Sequence, residues 1–279
     1  MGIDVHGLNF LRYAAKKKAL GRVATIGRQS LMVRSAQIGE ETFCEQFLTS
    51  HFGAQVVHSY DYSDYEGATH IVDMNKPLIT EERYDTVIDC GTTEHIFNVS
   101  QALKNVSLLG ASGAQIIHVV PANNFCGHGF WQFSPEVFFS LYSETNGYKA
   151  TEVFLANLKN NRSWFAVEEP ENGERAIVVS SSPLYVMCRT SKAWEITSVS
   201  VQQSDYVHSW GRTLQIPHSR NKIVETAKGI IKRNPLVYRS VSMAYGKAQG
   251  SIQSLKNSTQ LSNRNQHLRK QSVSKLLAS

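Results

Sequence analysis

The sequence predicts an α/β fold: a doubly wound, mostly parallel, seven-stranded sheet with an antiparallel hairpin at one edge, followed by a helical C-terminal extension. Three observations carry this. Short, nearly continuous apolar runs recur along the chain, as in strands covered on both faces. Segments of helical period separate most of them. The last two runs follow one another with a polar loop and no helix, which is the pattern of an antiparallel pair. With 279 residues, 42% hydrophobic and 19% charged, there is enough apolar material for a core, which excludes a disordered or fibrous chain.

The elements follow in order. Residues 8–20 predict an amphipathic helix with Leu8, Leu11, Ala15 and Ala19 near one face. RVATIG (22–27) is a short strand closing on glycine. EETFCEQFLTSHFG (40–53) reads as a helix that Gly53 stops. QVVHSYDY (55–62), ATHIVDM (68–74) and YDTVIDCG (84–91) read as three strands, NVSQALKNVSLL (98–109) as a helix, and AQIIHVVP (114–121) as the strongest strand. SPEVFFSLYSETNGY (134–148) is a helix with Pro135 in its first turn. TEVFLANL (151–158) and RAIVVSSSPLYVMCRTS (175–191) supply the hairpin, with residues 159–174 as its loop. The organisation expected is a helix over 1–20, the α/β domain over 21–204, and a basic extension over 205–279 whose end, past Asn257, is polar and disordered.

The net charge of +6 conceals an asymmetry. Residues 210–279 hold 13 Lys/Arg and one acid, Glu225, while residues 1–209 hold 16 Lys/Arg and 22 acids. An acidic body carries a basic tail. The four cysteines, Cys44, Cys90, Cys126 and Cys188, form no C-x-x-C pair, which excludes a local zinc ribbon or thioredoxin-like motif. No apolar run reaches spanning length, the start lacks a secretory signal, and His6 stands where a myristoylation motif needs Ser or Thr. The chain therefore reads as reduced and cytoplasmic.

In an open doubly wound sheet, ligands bind outside the carboxyl ends of the strands. Those ends carry Gly27-Arg28-Gln29, Asp61-Tyr62, Asp73-Met74-Asn75, Asp89-Cys90-Gly91-Thr92 and Pro121-Ala122-Asn123-Asn124. An acid after the second strand can accept both ribose hydroxyls, and one after the third can accept from the amine of a base. Each alone is equally compatible with a turn. No nucleophile elbow, catalytic-cysteine signature or P-loop is present.

The segments DTVIDCGTTEH, LLGASGAQIIHVVP and HGFWQFSPEVFFSLYSETNGY resemble a class I S-adenosylmethionine-dependent methyltransferase with a Rossmann-like fold. They are most similar to small methyltransferases of surface-polysaccharide gene clusters. The resemblance covers about residues 20–190. It implies S-adenosyl-L-methionine as cofactor, with Gly27 approaching the methionine part, Asp61 on the ribose, Tyr62 and Asp73 at the adenine, and Asp89 with Gly91 at the methionine end. It places Glu94, His95 and His128 on the acceptor side as candidate catalytic groups. VATIGRQSL departs from the family's glycine-rich loop, keeping only Gly27. Arg28 and Gln29 then either contact the cofactor with side chains or mark a degenerate site.

The expected activity is methyl transfer to a small acceptor, a sugar hydroxyl of a nucleotide-sugar or glycan, with histidine as the natural base near neutral pH. A non-catalytic binding or scaffold relative and an NAD-linked sugar oxidoreductase are the alternatives. His118, inside the fifth strand, reads as a packing residue. A metal site from Glu94, His95 and His128 is disfavoured, because neighbours i and i+1 diverge on a helix. In the tail, 220–235 and 236–256 read as two basic helices. Ile230, Ile231, Leu236, Val237 and Tyr238 interleave apolar groups with the charges, as suits an anionic membrane's inner face or an acidic protein. A plain solvated face is the competing reading, and nucleic acid is the weakest, since no reading motif accompanies the charge. A chain ending near Ser209 is expected to stay folded.

Overall fold

The computed structural model describes residues 2–33, 42–195, 200–213 and 258–278. Eleven strands are described: β1 (Gly2–Ile3), β2 (Arg22–Ile26), β3 (Ser30–Leu31), β4 (Val56–Asp61), β5 (His70–Ile71), β6 (Tyr84–Asp89), β7 (Gly110–Pro121), β8 (Tyr148–Asn157), β9 (Ser163–Val167), β10 (Leu184–Lys192) and β11 (Leu268–Ser272). The helices are α1 (Val5–Lys17), α2 (Cys44–Phe52), α3 (Val99–Leu109), α4 (Pro135–Leu141), α5 (Ser204–Thr213) and α6 (Val273–Ala278).

Local chemistry sets the helix ends. Asp4 caps α1 by accepting from the Gly7 N–H at 2.9 Å. Ser134 caps α4 with Pro135 at the first helical position, and Gly53 closes α2 in the left-handed region at φ 65°. The buried Lys192 ammonium donates to the Ser107 and Gly110 carbonyls at the C-terminal end of α3, at 3.0 and 2.8 Å. A cation there complements the helix dipole and occupies acceptors that the helix leaves open.

Nine strands form one mixed sheet in the order β11-β9-β8-β10-β7-β6-β2-β4-β5. The run β7-β6-β2-β4-β5 is parallel throughout. From β2 the chain moves outward through β4 and β5, then returns to β6 and β7 on the other side. The carboxyl ends of β2 and β6 thus border the switch point of a doubly wound sheet. One face is covered by α1, α2 and α6, where Phe10, Leu11, Phe47, Phe154 and Trp164 are buried. The other is covered by α3 and α4, with Val106, Phe138, Tyr142 and Tyr148.

Three expectations are corrected. The sheet has nine strands, because SWFAV inside the expected loop 159–174 forms β9, folded back antiparallel onto β8. The hairpin is also not at an edge: β10 inserts antiparallel between β7 and β8, and residues 175–183 precede it without joining a strand. The end of the chain is ordered. β11 pairs antiparallel with β9, Leu268 is fully buried, and Val273, Leu276 and Leu277 pack with the α1 side of the core. The polar composition of this segment hid the few apolar residues that dock it, and a chain cut near Ser209 would lose both elements. The two basic helices expected over 220–256 lie outside the described residues. Among the described residues no helix is long and apolar enough to cross a membrane, and all four cysteines are free.

Leu268→Ala is expected to lower the unfolding free energy by about 2–5 kcal/mol, the cost of truncating a buried leucine. The exposed Lys270→Ala on the same strand should change it by about 0.5 kcal/mol or less. Urea denaturation checks both, and equal, small effects would mean that β11 is not part of the cooperative unit.

Candidate functional site

The site begins at the end of β6. Asp89 is fully buried, so every lone pair not satisfied there carries a cost. Its Oδ1 accepts from the Thr92 and Thr93 N–H groups at 3.1 and 3.3 Å, and its Oδ2 from the Thr93 hydroxyl at 2.6 Å. His118, its register partner on β7, places Nδ1 2.9 Å from Oδ2 and Nε2 2.6 Å from the Tyr142 hydroxyl. We assign the proton to Nδ1, since the carboxylate can only accept. These bonds curl residues 93–95 into a single 3-10 turn. The helix expected to start at residue 98 follows as a separate element.

That turn presents Glu94 and His95. Glu94 is fully buried, and neither carboxylate oxygen has a hydrogen-bond partner among the described residues. Burial first, then the nearby Asp89, pushes its carboxyl up to about 8. His95 Nε2 lies 3.7 Å and His128 Nε2 3.6 Å from Glu94 Oε1. Burial and the neighbouring His128 lower the pKa of His95. The expected divergence of residues i and i+1 does not keep these two side-chain tips apart, and His128 joins them from another loop. One ligand atom from each of the three side chains lies within 4.8 Å of the others.

The loop that carries His128 is clamped to the turn. Phe130 and Trp131 donate their N–H groups to the Glu94 carbonyl at 2.8 and 3.2 Å, and Trp131 Nε1 donates to the Ile96 carbonyl. A Cβ on Gly129 would stand 2.9 Å from the Glu94 carbonyl oxygen, so only glycine admits this approach. Outside the cluster, Phe97 and Phe130 meet edge to face at 5.8 Å and are 72% and 65% exposed.

The other half of the site follows β2 and β4. Gly27 has φ +73°, and a Cβ there would meet Thr92 Oγ1 at 2.6 Å. Its glycine is required by the packing of the β2 and β6 ends on each other. Asp61 Oδ2 accepts from the Arg28 N–H at 2.9 Å, and Oδ1 from its own neighbour, the Tyr62 N–H, at 2.7 Å. Two lone-pair positions of that carboxylate remain. The Tyr62 side chain is exposed. Asp73 closes a turn, accepting from the Asn75 amide and backbone and facing Lys76, and the Asn75 side-chain bond above all holds its carboxyl below the usual range.

Three expected cofactor contacts are already engaged within the protein. Asp89 is committed as above. Gln29 is fully buried, with Nε2 donating to the Ile26 carbonyl and to Thr92 Oγ1. The Arg28 guanidinium stacks 4.0 Å from the centre of the Phe43 ring and pairs with Glu45 at 2.8 Å. Gly91, at φ +85°, sits against Glu94, whose Oε1 would lie 3.2 Å from a Cβ placed there. Sequence reasoning placed Thr92 at the strand end and read Gly-His-Gly as a close-approach loop, but missed Thr93. It had a signal, since an Asp followed at i+3 and i+4 by short polar residues is the pattern of a capped turn.

The raised Glu94 carboxyl binds more protons folded than unfolded, so its contribution to stability is complete below its ordinary value of 4.5 and is lost as pH rises through about 8. Glu94→Gln should therefore differ least from wild type near pH ~5 and be the more stable protein above pH ~8. Denaturant unfolding in EDTA across that window measures this, and parallel pH profiles would exclude the raised carboxyl.

No protein-family profile and no curated relative matches this chain. Solved structures that resemble it include the N-methyltransferase NodS from Bradyrhizobium japonicum WM9, at 15% identity and a TM-score of 0.40, covering 67% of this chain and 93% of that one. A putative methyltransferase from Bacillus halodurans C-125 aligns at 12% identity and a TM-score of 0.40, covering 70% and 100%. The plantazolicin methyltransferase BpumL in complex with SAH aligns at 7% identity and 0.39, covering 68% and 83%. At these values the likeness carries no argument about what the present chain does.

Proposed function

We propose that this protein is an S-adenosylmethionine-dependent methyltransferase whose acceptor is a sugar hydroxyl of a nucleotide-sugar or glycan. The observation that carries the reading is the placement of Asp61, with lone pairs to spare, at the carboxyl end of β4, on one side of the β2–β6 switch point of a doubly wound sheet, while Glu94 and His95 follow β6 on the other side and His128 joins them from the loop after β7. Asp61 suits a ribose, because an ionised carboxylate accepts two vicinal hydroxyls. Tyr62 supplies an exposed ring for the adenine, and Asp73 an acceptor for its amine.

S-adenosylmethionine, when bound, supplies an electrophilic methyl group on a sulfonium. The protein's tasks are then alignment and handling of the acceptor's proton. The cluster can do the second. His128 and His95 are partly exposed imidazoles beside a buried carboxyl, suited to accept a proton from a hydroxyl. Phe97 and Phe130 offer a stacking surface for the apolar face of a sugar ring. The fit is better at the ribose end than at the methionine end, where Arg28, Gln29 and Asp89 are engaged internally.

That engagement favours a second reading, a non-catalytic relative that keeps the fold. Calorimetry with S-adenosylhomocysteine separates the two. Saturable binding is expected, weakened by about 1–3 kcal/mol in Asp61→Ala, the range for a charge-assisted contact. No binding at millimolar ligand would remove the enzyme reading in favour of the scaffold, and binding of NAD in its place would favour an oxidoreductase.

A further inference from the structure

We propose that a cavity at the foot of the loop bearing His128 is a binding site for an uncharged sugar ring. The cavity encloses about 440 Å³, a volume in the range of small-ligand sites. It lies at the carboxyl ends of β7 and β8, where Ala122 and Leu155 line it, so it sits where an α/β sheet places ligands. Residues 175–178 supply another part of its wall, and they are held from behind. Asn123 Nδ2 donates to the Val178 carbonyl at 2.8 Å, and Asn265 Nδ2 to the Ile177 carbonyl at 3.0 Å. Asn265 is itself buried. The returning end of the chain thus helps to build the cavity, and a wall so supported is preorganised.

The lining names the class of ligand. The amides of Asn123 and Gln132 and the Glu136 carboxylate stand beside the buried rings of Phe133 and Phe139. Amides donate to and accept from hydroxyls, a carboxylate accepts from them, and an aromatic wall takes the apolar C–H face of a ring. Gln132 commits Oε1 to the Phe125 N–H at 2.9 Å, and Glu136 commits Oε1 to the Ser204 N–H and the Ser140 hydroxyl at 2.7 and 3.0 Å. Among the described residues, that leaves the Gln132 amino group and Glu136 Oε2 for a ligand. A phosphorylated ligand does not suit this lining. Its cation among the described residues is Arg175, whose Nε is already paired with Asp205 Oδ2 at 2.6 Å, and the Glu136 carboxylate would repel a phosphate. The cavity also adjoins the site described above. The Phe133 N–H donates to the Pro121 carbonyl at 2.8 Å, so Phe133 and Gln132, both in the cavity wall, pinch the base of the loop that carries His128. On the methyl-transfer reading, on which this extension rests, the ring held there belongs to the acceptor and neighbours the ring that reacts. The acceptor is then a glycan chain rather than a nucleotide-sugar.

The test is saturation-transfer difference NMR on the full chain. The probes are the methyl glycosides of glucose, galactose, rhamnose and N-acetylglucosamine, with UDP-glucose as the charged comparison. Transfer to at least one methyl glycoside at millimolar concentration is expected, at least fivefold weaker in Gln132→Ala and in Ala176→Phe. The first variant removes a polar contact, and the second fills the cavity while keeping its polar groups. Lys270→Ala, on the edge strand β11, should leave the transfer unchanged. Far-ultraviolet circular dichroism establishes that each variant is folded, and the exposed position of Gln132 guards against a folding artefact. Absence of transfer to all four glycosides, transfer to the uridine protons of UDP-glucose alone, or transfer that neither cavity variant weakens would overturn the proposal. S-adenosylhomocysteine calorimetry on the same samples is read separately, so the sugar site and the methyl-transfer reading can fail independently.

Discussion

The burial of the Asp89 carboxylate is the constraint on which the site depends. A carboxylate removed from water must be met by donors on every side, and here the donors are two backbone N–H groups, a hydroxyl and an imidazole. Meeting that demand bends the chain after β6 into one 3-10 turn over Thr93–His95. Thr92 then closes on Gly27 and the Ile26 carbonyl, joining the β2 and β6 ends. Glu94 and His95 stand where they do because Asp89 is satisfied from within.

This gives the strand-end acids unequal roles. Asp89, which looks in sequence like one more acid at a strand end, is a structural strut. Asp61 spends half of its capacity on backbone N–H groups and keeps the rest. Asp73 organises a turn that docks onto the start of α3, where the Asn75 side chain receives the Asn98 N–H. The ligand-facing capacity of the site is therefore concentrated at Asp61 on one side and at the Glu94 cluster on the other, to which the clamped 128–131 loop contributes His128.

The parallel half of the sheet was legible because it is covered on both faces. Runs such as TVID and IIHVV have no polar alternation to confuse them with edge strands, and glycines mark where they stop. The antiparallel half was less legible for the converse reason. β9 is five residues long inside a polar stretch, and β11 is LRKQS, whose single buried leucine gives no periodic signal. β9 folds back onto the neighbouring β8, but its other partner, β11, lies more than 90 residues away in sequence. The same holds at the site. Asp61 was placed by the strand-end rule, but whether Asp89 and Gln29 face a ligand or the core is a matter of which neighbours claim their polar atoms.

The sequence by itself determined the alternation of apolar strands and amphipathic helices, the glycines at the strand ends, and the division into an acidic body and a basic tail. These are local properties, set by side-chain periodicity and backbone freedom. Tertiary structure alone decided where β10 inserts, that residues 268–278 close the far edge of the sheet, and that Glu94, His95 and His128 converge. Each of those depends on long-range pairing or on the desolvation of a charged group, and neither burial nor partnership is written in the residue that needs it.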